Sequence, residues 1–199
     1  MQLYSNEQKR LGLYFHIPFC LSKCAYCDFN SAPVSNPEII SRYISALIAH
    51  MESYRAGAAS YAPDTVFIGG GTPTCIPPEE LFRLIRAIKK NFRLTKNVEF
   101  SIEANPATVT YPTLLRLHRL GVNRLSMGLQ SAHDIELKAL SRRHTRKDFE
   151  RSFVPHGARR KIRQHQRRPH VRHPAPDVSV SDAHAFVSHA GRAGSHFSL

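Results

Sequence analysis

The chain has 199 residues, 42% hydrophobic and 22% charged, with four cysteines and a formal charge of +13. That length suffices for one domain with a sizeable core, and no apolar run approaches a membrane span. The polar first dozen residues read as no signal segment, so the expected setting is a reducing cytoplasm. The charge is uneven: residues 1–150 carry 19 Lys and Arg against 13 Asp and Glu, whereas residues 151–199 carry 9 against 2. The excess that would ordinarily suggest a nucleic-acid partner is therefore concentrated in the last quarter.

In chain order, residues 11–19 form an apolar run ended by Pro18, which predicts a buried strand. It delivers Cys20, Cys24 and Cys27, spaced C-x3-C-x2-C, with Tyr26 just before the last thiol. Three thiolates on one tight loop can hold three irons of a cubane cluster and leave the fourth iron without a protein ligand. Structural zinc asks for four ligands, and the remaining thiol, Cys75, is alone. His16 would complete a Cys3His set, so zinc stays the alternative, with the spacing favouring a cluster. A disulfide is weaker again, because C-x2-C neighbours strain within a loop.

Asn36-Pro37 starts a helix over residues 38–55, with Ile39, Ile40, Tyr43, Leu47, Ile48 and Met51 at helical spacing. Residues 64–68 are a second strand running into Gly69-Gly70-Gly71-Thr72-Pro73. Glycines there let backbone N–H groups approach a ligand, and Thr72 adds a hydroxyl. The run is neither G-x-G-x-x-G nor a Walker loop, and a plain tight turn is the competing reading. Pro77 and Pro78 open a helix to Asn91 with Leu81, Leu84, Ile85 and Ile88 on one face. A third strand (98–102) delivers Glu103, and a helix (110–120) stops at Gly121. A fourth strand (123–129) delivers Gln130, and a fourth helix begins near Asp134 with Ile135, Leu137 and Leu140.

Glu103, at a strand end, can bind an amine or a ribose hydroxyl, or simply sit in a loop salt bridge. Gln130 holds the equivalent place on the next strand. Arg142 can meet a carboxylate bidentately, yet Arg142-Arg143-His144 also reads as a solvated basic surface. Cys75 reads as a small apolar packing residue, and His16 as a hydrogen-bonded imidazole near the cysteines. Four strand-helix alternations predict an α/β fold, a parallel sheet with helices outside. Four units are too few to close a TIM-type barrel, but the polar motifs all follow strands, where such barrels carry their sites.

These stretches together resemble the radical SAM superfamily, and within it the HemW-type heme chaperones, relatives of oxygen-independent coproporphyrinogen III oxidase. The likeness covers residues 11–148 and rests on 14–31, 67–74, 102–106, 121–131 and 137–145. It implies a [4Fe-4S] cluster on Cys20, Cys24 and Cys27, with S-adenosylmethionine (SAM) chelating the open iron. By family position, Tyr14, Gly70 and Glu103 would line a first SAM, and Gly71, Thr72, Gln130 and Arg142 a second. The resemblance further implies reductive cleavage of SAM to methionine and a deoxyadenosyl radical, an electron donor for the cluster, bound heme and an acceptor protein for it. The oxidase has a further cysteine two places after the third, where this chain has Phe29. That departure favours the chaperone branch.

The strand-helix grammar stops near residue 150. Residues 151–199 hold one isoleucine, one leucine and seven of the twelve histidines. The expected organisation is an extension (1–10), a four-unit core (11–150) and a disordered Arg/His-rich tail (151–199). Codons for residues 164–174, read one base later, accommodate NINVDLMFGIP, the strand the family places next. The tail thus reads as an out-of-frame translation of a longer family member. A genuine basic arm that binds nucleic acid is the rival, weakened by few aromatics for base stacking. Without a fifth strand, the sheet would present an open apolar edge. No tail histidine is assigned as a heme ligand.

Overall fold

The computed structural model describes residues 9–153 and three short strands between residues 184 and 198. The first strand, β1 (Lys9–Ile17), alternates as a half-buried strand should, with Phe15 and Ile17 in the core and Tyr14 exposed. Two short parallel strands, β2 (Phe19–Cys20) and β3 (Ala32–Pro33), then bracket the cysteine loop. Helix α1 (Pro37–Ser53) starts where Asn36 Oδ1 accepts the Glu38 N–H at 2.9 Å, a side-chain N-cap followed by proline at N1. Its buried face is Ile40, Ile44 and Met51. Of the predicted stripe, Ile40 and Met51 are buried and Tyr43, Leu47 and Ile48 pack against the core, whereas Ile39 is half exposed; Ile44, outside that stripe, is fully buried.

The chain continues through β4 (Tyr61–Gly70), α2 (Pro78–Asn91), β5 (Glu99–Ala104), α3 (Tyr111–Arg119), β6 (Arg124–Gly128), α4 (Asp134–Ala139) and α5 (Arg146–Phe153). β1, β4, β5 and β6 lie in that order and pair in parallel. This is the expected α/β sheet of four βα units. β4 begins before the predicted strand because Tyr61, Ala62 and Pro63 pair with Lys9, Arg10 and Leu11, across a register shift at Leu11/Gly12. Pro63 hides that extension from a pattern-based reading. Val66, Ile68, Phe100, Ile102, Leu125 and Met127 bury the inward sides of the central strands, and Leu81, Leu84, Ile85 and Ile88 bury the predicted face of α2. Each such side chain contributes about 1.5–3 kcal/mol of transfer free energy. Ile135 of α4 is 85% exposed, whereas its neighbour Leu137 is buried.

Two helix ends decide where the chain turns. Gly121, at φ 104°, follows α3, with Val122 N–H reaching the Leu117 carbonyl at 3.1 Å. Ser141, at φ 57°, follows α4 in the same way, with Arg142 N–H on the Leu137 carbonyl at 2.8 Å. Both are left-handed C-terminal caps, and the second returns the chain toward the end of β6. Thr145 and Asp148 then cap α5, the Thr145 N–H donating to Asp148 Oδ2 at 2.9 Å.

The stretch expected to be a disordered tail falls mostly outside the described residues, including 164–174. Its described parts are residues 151–153, which complete α5, and the strands β7 (His184–Ala185), β8 (Ser188–Ala190) and β9 (His196–Ser198). β7 runs antiparallel beside Met127 and Gly128, and β9 meets Arg124 at Ser198, so both lie along the free side of β6.

Candidate functional site

The C-terminal ends of β1, β4, β5 and β6 stand at one edge of the sheet: Ile17 pairs with Gly70, Ile68 with Ile102 and Ala104 with Met127. Gly70 has φ 119°, a conformation L side chains rarely adopt, and a Cβ there would meet the His16 ring at 2.8 Å. Its N–H donates to Glu103 Oε2 at 3.1 Å. The Tyr14 ring stacks on Phe67 at 6.0 Å. Partial burial and, secondarily, the Glu103 carboxylate raise the Tyr14 pKa, so its phenol stays protonated. His16 Nε2 donates to the Asn30 carbonyl at 2.8 Å, and its Nδ1 lies 3.0 Å from the Tyr14 hydroxyl. Tyr14, Gly70 and Glu103 thus form one group, with His16 tying it to the far end of the cysteine loop.

The loop itself is held at both ends. Ala32 N–H bonds the Pro18 carbonyl at 2.9 Å, and Val34 N–H the Cys20 carbonyl at 3.2 Å. Lys23 Nζ donates across it to the carbonyls of Phe29 and Ser31. The glycine-threonine turn grips its start: Gly71 N–H donates to the Ile17 carbonyl at 2.9 Å and Thr72 N–H to the Phe19 carbonyl at 2.7 Å. A Cβ at Gly71 would lie 2.5 Å from the Phe19 carbonyl oxygen and 2.8 Å from Cys20 Sγ, so only glycine permits this approach. Thr72 Oγ1 is 3.7 Å from Cys20 Sγ.

A second group gathers at the end of β6. Arg142 Nη2 donates to the Gly128 carbonyl at 3.0 Å, while Nη1 reaches Cys24 Sγ at 3.6 Å and the Tyr26 hydroxyl at 3.4 Å. Burial pushes the Tyr26 phenol up to about 12 despite the nearby guanidinium. Gln130 takes φ 69°, and its amide packs so closely on Gly128 that a Cβ there would collide with it. Every predicted residue therefore falls at the same sheet edge, in two groups. Tyr14, Gly70 and Glu103 make one, Gln130 and Arg142 the other, and the cysteine loop joins them through Thr72 and Arg142.

A family model described as the radical SAM superfamily matches residues 14–153. The chain belongs to that superfamily. Among radical SAM relatives, it is 39% identical over 146 residues to the heme chaperone HemW of Buchnera aphidicola and 36% identical over 142 residues to that of Escherichia coli. These alignments cover 72% and 71% of this chain but only 38% of each relative, so the chain spans well under half their length. Among solved structures, the E. coli radical SAM enzyme coproporphyrinogen III oxidase (HemN) superposes with a TM-score of 0.67 at 28% identity. That match covers 73% of this chain and 33% of HemN.

Three of the four cysteines sit on this one loop, a donor set that a cubane cluster with one open iron would take. All four cysteines are free, and no three His, Cys, Asp or Glu side chains among the described residues converge as ligands of one metal ion. His16, the candidate fourth zinc ligand, spends both ring nitrogens on Tyr14 and Asn30. Cys75 is half-buried, and burial pushes its thiol up to about 12, which suits packing and not ligation. Two contributors escaped the sequence reading. Tyr26 was noted only for its place beside Cys27. His144, grouped with a solvated basic surface, is buried; the spacing Arg142-x-His144 gave no signal of it.

Proposed function

We propose that this chain carries the cluster- and SAM-binding part of a heme-chaperone-type radical SAM protein. One observation carries the reading: three free thiols on a single loop, with Cys20 against Thr72 and Cys24 against Arg142, between a carboxylate group and a guanidinium group. Cys20, Cys24 and Cys27 would hold the [4Fe-4S] cluster. Glu103 offers a carboxylate for the SAM amine, with Gly70 and Tyr14 beside it. Gly71, Thr72, Gln130 and Arg142 would hold the second SAM, Arg142 offering a fork for a carboxylate. The bound cluster and SAM supply one-electron chemistry that no protein side chain here provides. The polypeptide's own part is to fix the loop and keep the sulfurs off bulk water: Cys20 is buried, and Cys24 and Cys27 are half-buried.

Phe29, 62% exposed at the loop's far side, stands where the oxidase has its further cysteine, which supports the chaperone branch. Heme and an acceptor protein would be the cargo and partner, with a separate electron donor and no nucleic acid. The setting proposed is the cytoplasm. No helix among the described residues is long and apolar enough to cross a membrane. Anaerobic reconstitution with iron and sulfide tests the reading. We expect about four irons per chain in the unaltered protein. Serine at Cys20, Cys24 or Cys27 should abolish uptake, and Cys75→Ser should preserve it. Uptake that survives all three substitutions would overturn the assignment. Hemin titration without consumption of coproporphyrinogen is expected; turnover of coproporphyrinogen would move the chain to the oxidase branch.

A further inference from the structure

We propose that His144 is a positioning residue whose uncharged imidazole sets the turn that presents Gln130 to the SAM site. Three adjacent basic residues behave differently here. Arg142, half-buried, reaches Cys24; Arg143, exposed, donates to the Leu21 carbonyl from the surface; His144 is 2% exposed. His144 Nε2 donates to the carbonyl of Leu129 at 3.1 Å. That carbonyl is the last acceptor before Gln130, and a buried carbonyl requires a partner. Arg142 takes the preceding carbonyl, that of Gly128. Successive carbonyls at the end of β6 are thus held by residues 142 and 144.

Gln130 needs this support. Its φ of 69° is the left-handed region that favours glycine, yet its side chain is required at that place if it binds a ligand. The far side of the turn is pinned independently, because the buried Ser131 hydroxyl bonds Glu136 and accepts the His133 N–H at 3.0 Å. His144 closes the near side. The choice of residue follows from its neighbour. A lysine or arginine could donate to the same carbonyl but would bury a second positive charge beside the Arg142 guanidinium. A neutral imidazole donates without that charge. With Nε2 carrying the hydrogen, Nδ1 is bare and has no protein partner among the described residues.

The functional consequence rests on the proposed SAM site, but the structural claim does not, and the test separates them. His144→Phe keeps the ring volume and removes the donor; His144→Gln restores an uncharged donor. In the full chain without cofactor, hydrogen exchange is read at the amides of residues 130 and 131 against those of α2. We expect about tenfold faster exchange in the Phe variant, equivalent to about 1.4 kcal/mol, with α2 unchanged, and recovery to within about threefold in the Gln variant. Unchanged exchange in the Phe variant overturns the inference whatever the cofactor does. In reconstituted protein, the SAM concentration that half-perturbs the electron paramagnetic resonance signal of the reduced cluster should rise about tenfold in the Phe variant and recover in the Gln variant. Faster exchange with an unaltered SAM response would overturn the positioning role. If the Phe variant does not fold, nitrogen NMR of the wild-type ring decides: a neutral Nε2–H tautomer is expected near neutral pH, and any other form overturns the claim. Failure of the wild-type chain to take up a cluster would sink the proposed function, leaving the exchange result to judge His144.

Discussion

The two groups at the sheet edge are built from different materials. Around Gly70, the contacts are made largely by backbone N–H groups at the ends of adjacent strands: Gly70 N–H to Glu103, Gly71 N–H to Ile17 and Thr72 N–H to Phe19. Around Gly128, side chains from beyond α4 reach back across the turn, and Arg142 alone joins β6, Cys24 and Tyr26. The first group comes with the parallel sheet. The second exists only when the segment after α4 docks. Cofactor affinity in the second group should therefore respond to folding of the 137–148 region, and that of the first should not.

The sharpest way to break this comparison is Arg142→Leu. It strips the Gly128 carbonyl of its donor and frees the cysteine loop from β6, which should lower unfolding free energy by about 2–3 kcal/mol. Urea denaturation reads it; a loss under half that size would show the second group to be self-supporting. Gly70→Ala comes next, because φ 119° suits an L residue poorly and its Cβ would press on the His16 ring. A loss of about 1–3 kcal/mol is expected. Glu103→Gln should cost under about 1 kcal/mol, since an amide oxygen can still accept the Gly70 N–H. It should nonetheless abolish the preference for an ammonium-bearing ligand, measured by comparing SAM with its deaminated analogue in a binding titration. Equal affinity for the two in the unaltered chain would remove Glu103 from the amine role.

The smallest expected effect is one of pH. Burial, and then the Arg142 charge, lower the His144 pKa below its ordinary 6.5. Above that value the ring is neutral in both states and contributes no slope. As pH falls through 6.5, the unfolded chain accepts a proton that the fold resists, so stability declines until the lowered folded pKa is passed. Urea midpoints between about pH 8 and pH 5 should show this fall, and His144→Gln should flatten it. A midpoint that rises on acidification would mean that His144 is charged in the fold.

Much of the architecture was legible because it is local. Asn36 before Pro37, the apolar face of α2 and Gly121 after α3 act over a turn or two, so spacing alone reports them. Ile39 belongs to the predicted stripe of α1 yet is half exposed, while Ile44 is buried in the core, because spacing alone leaves the edge of a helical stripe open until it packs. The candidate site was legible at the cysteine loop and, through family likeness, at Tyr14, Glu103, Gln130 and Arg142. It was not legible at Tyr26 or His144.

The sequence by itself determined the loop that carries Cys20, Cys24 and Cys27, the order of the four βα units and the glycine turn that follows β4. Each depends on residues within a few positions of one another. Only the tertiary structure decided that Thr72 stands against Cys20, 52 residues away, and that Arg142 reaches Cys24 across 118. It also decided that His144 is a buried donor and not a surface charge. The physical reason is the parallel sheet: its crossovers carry chemically ordinary residues from distant segments to the same strand ends, where burial and a neighbouring guanidinium change what they can do.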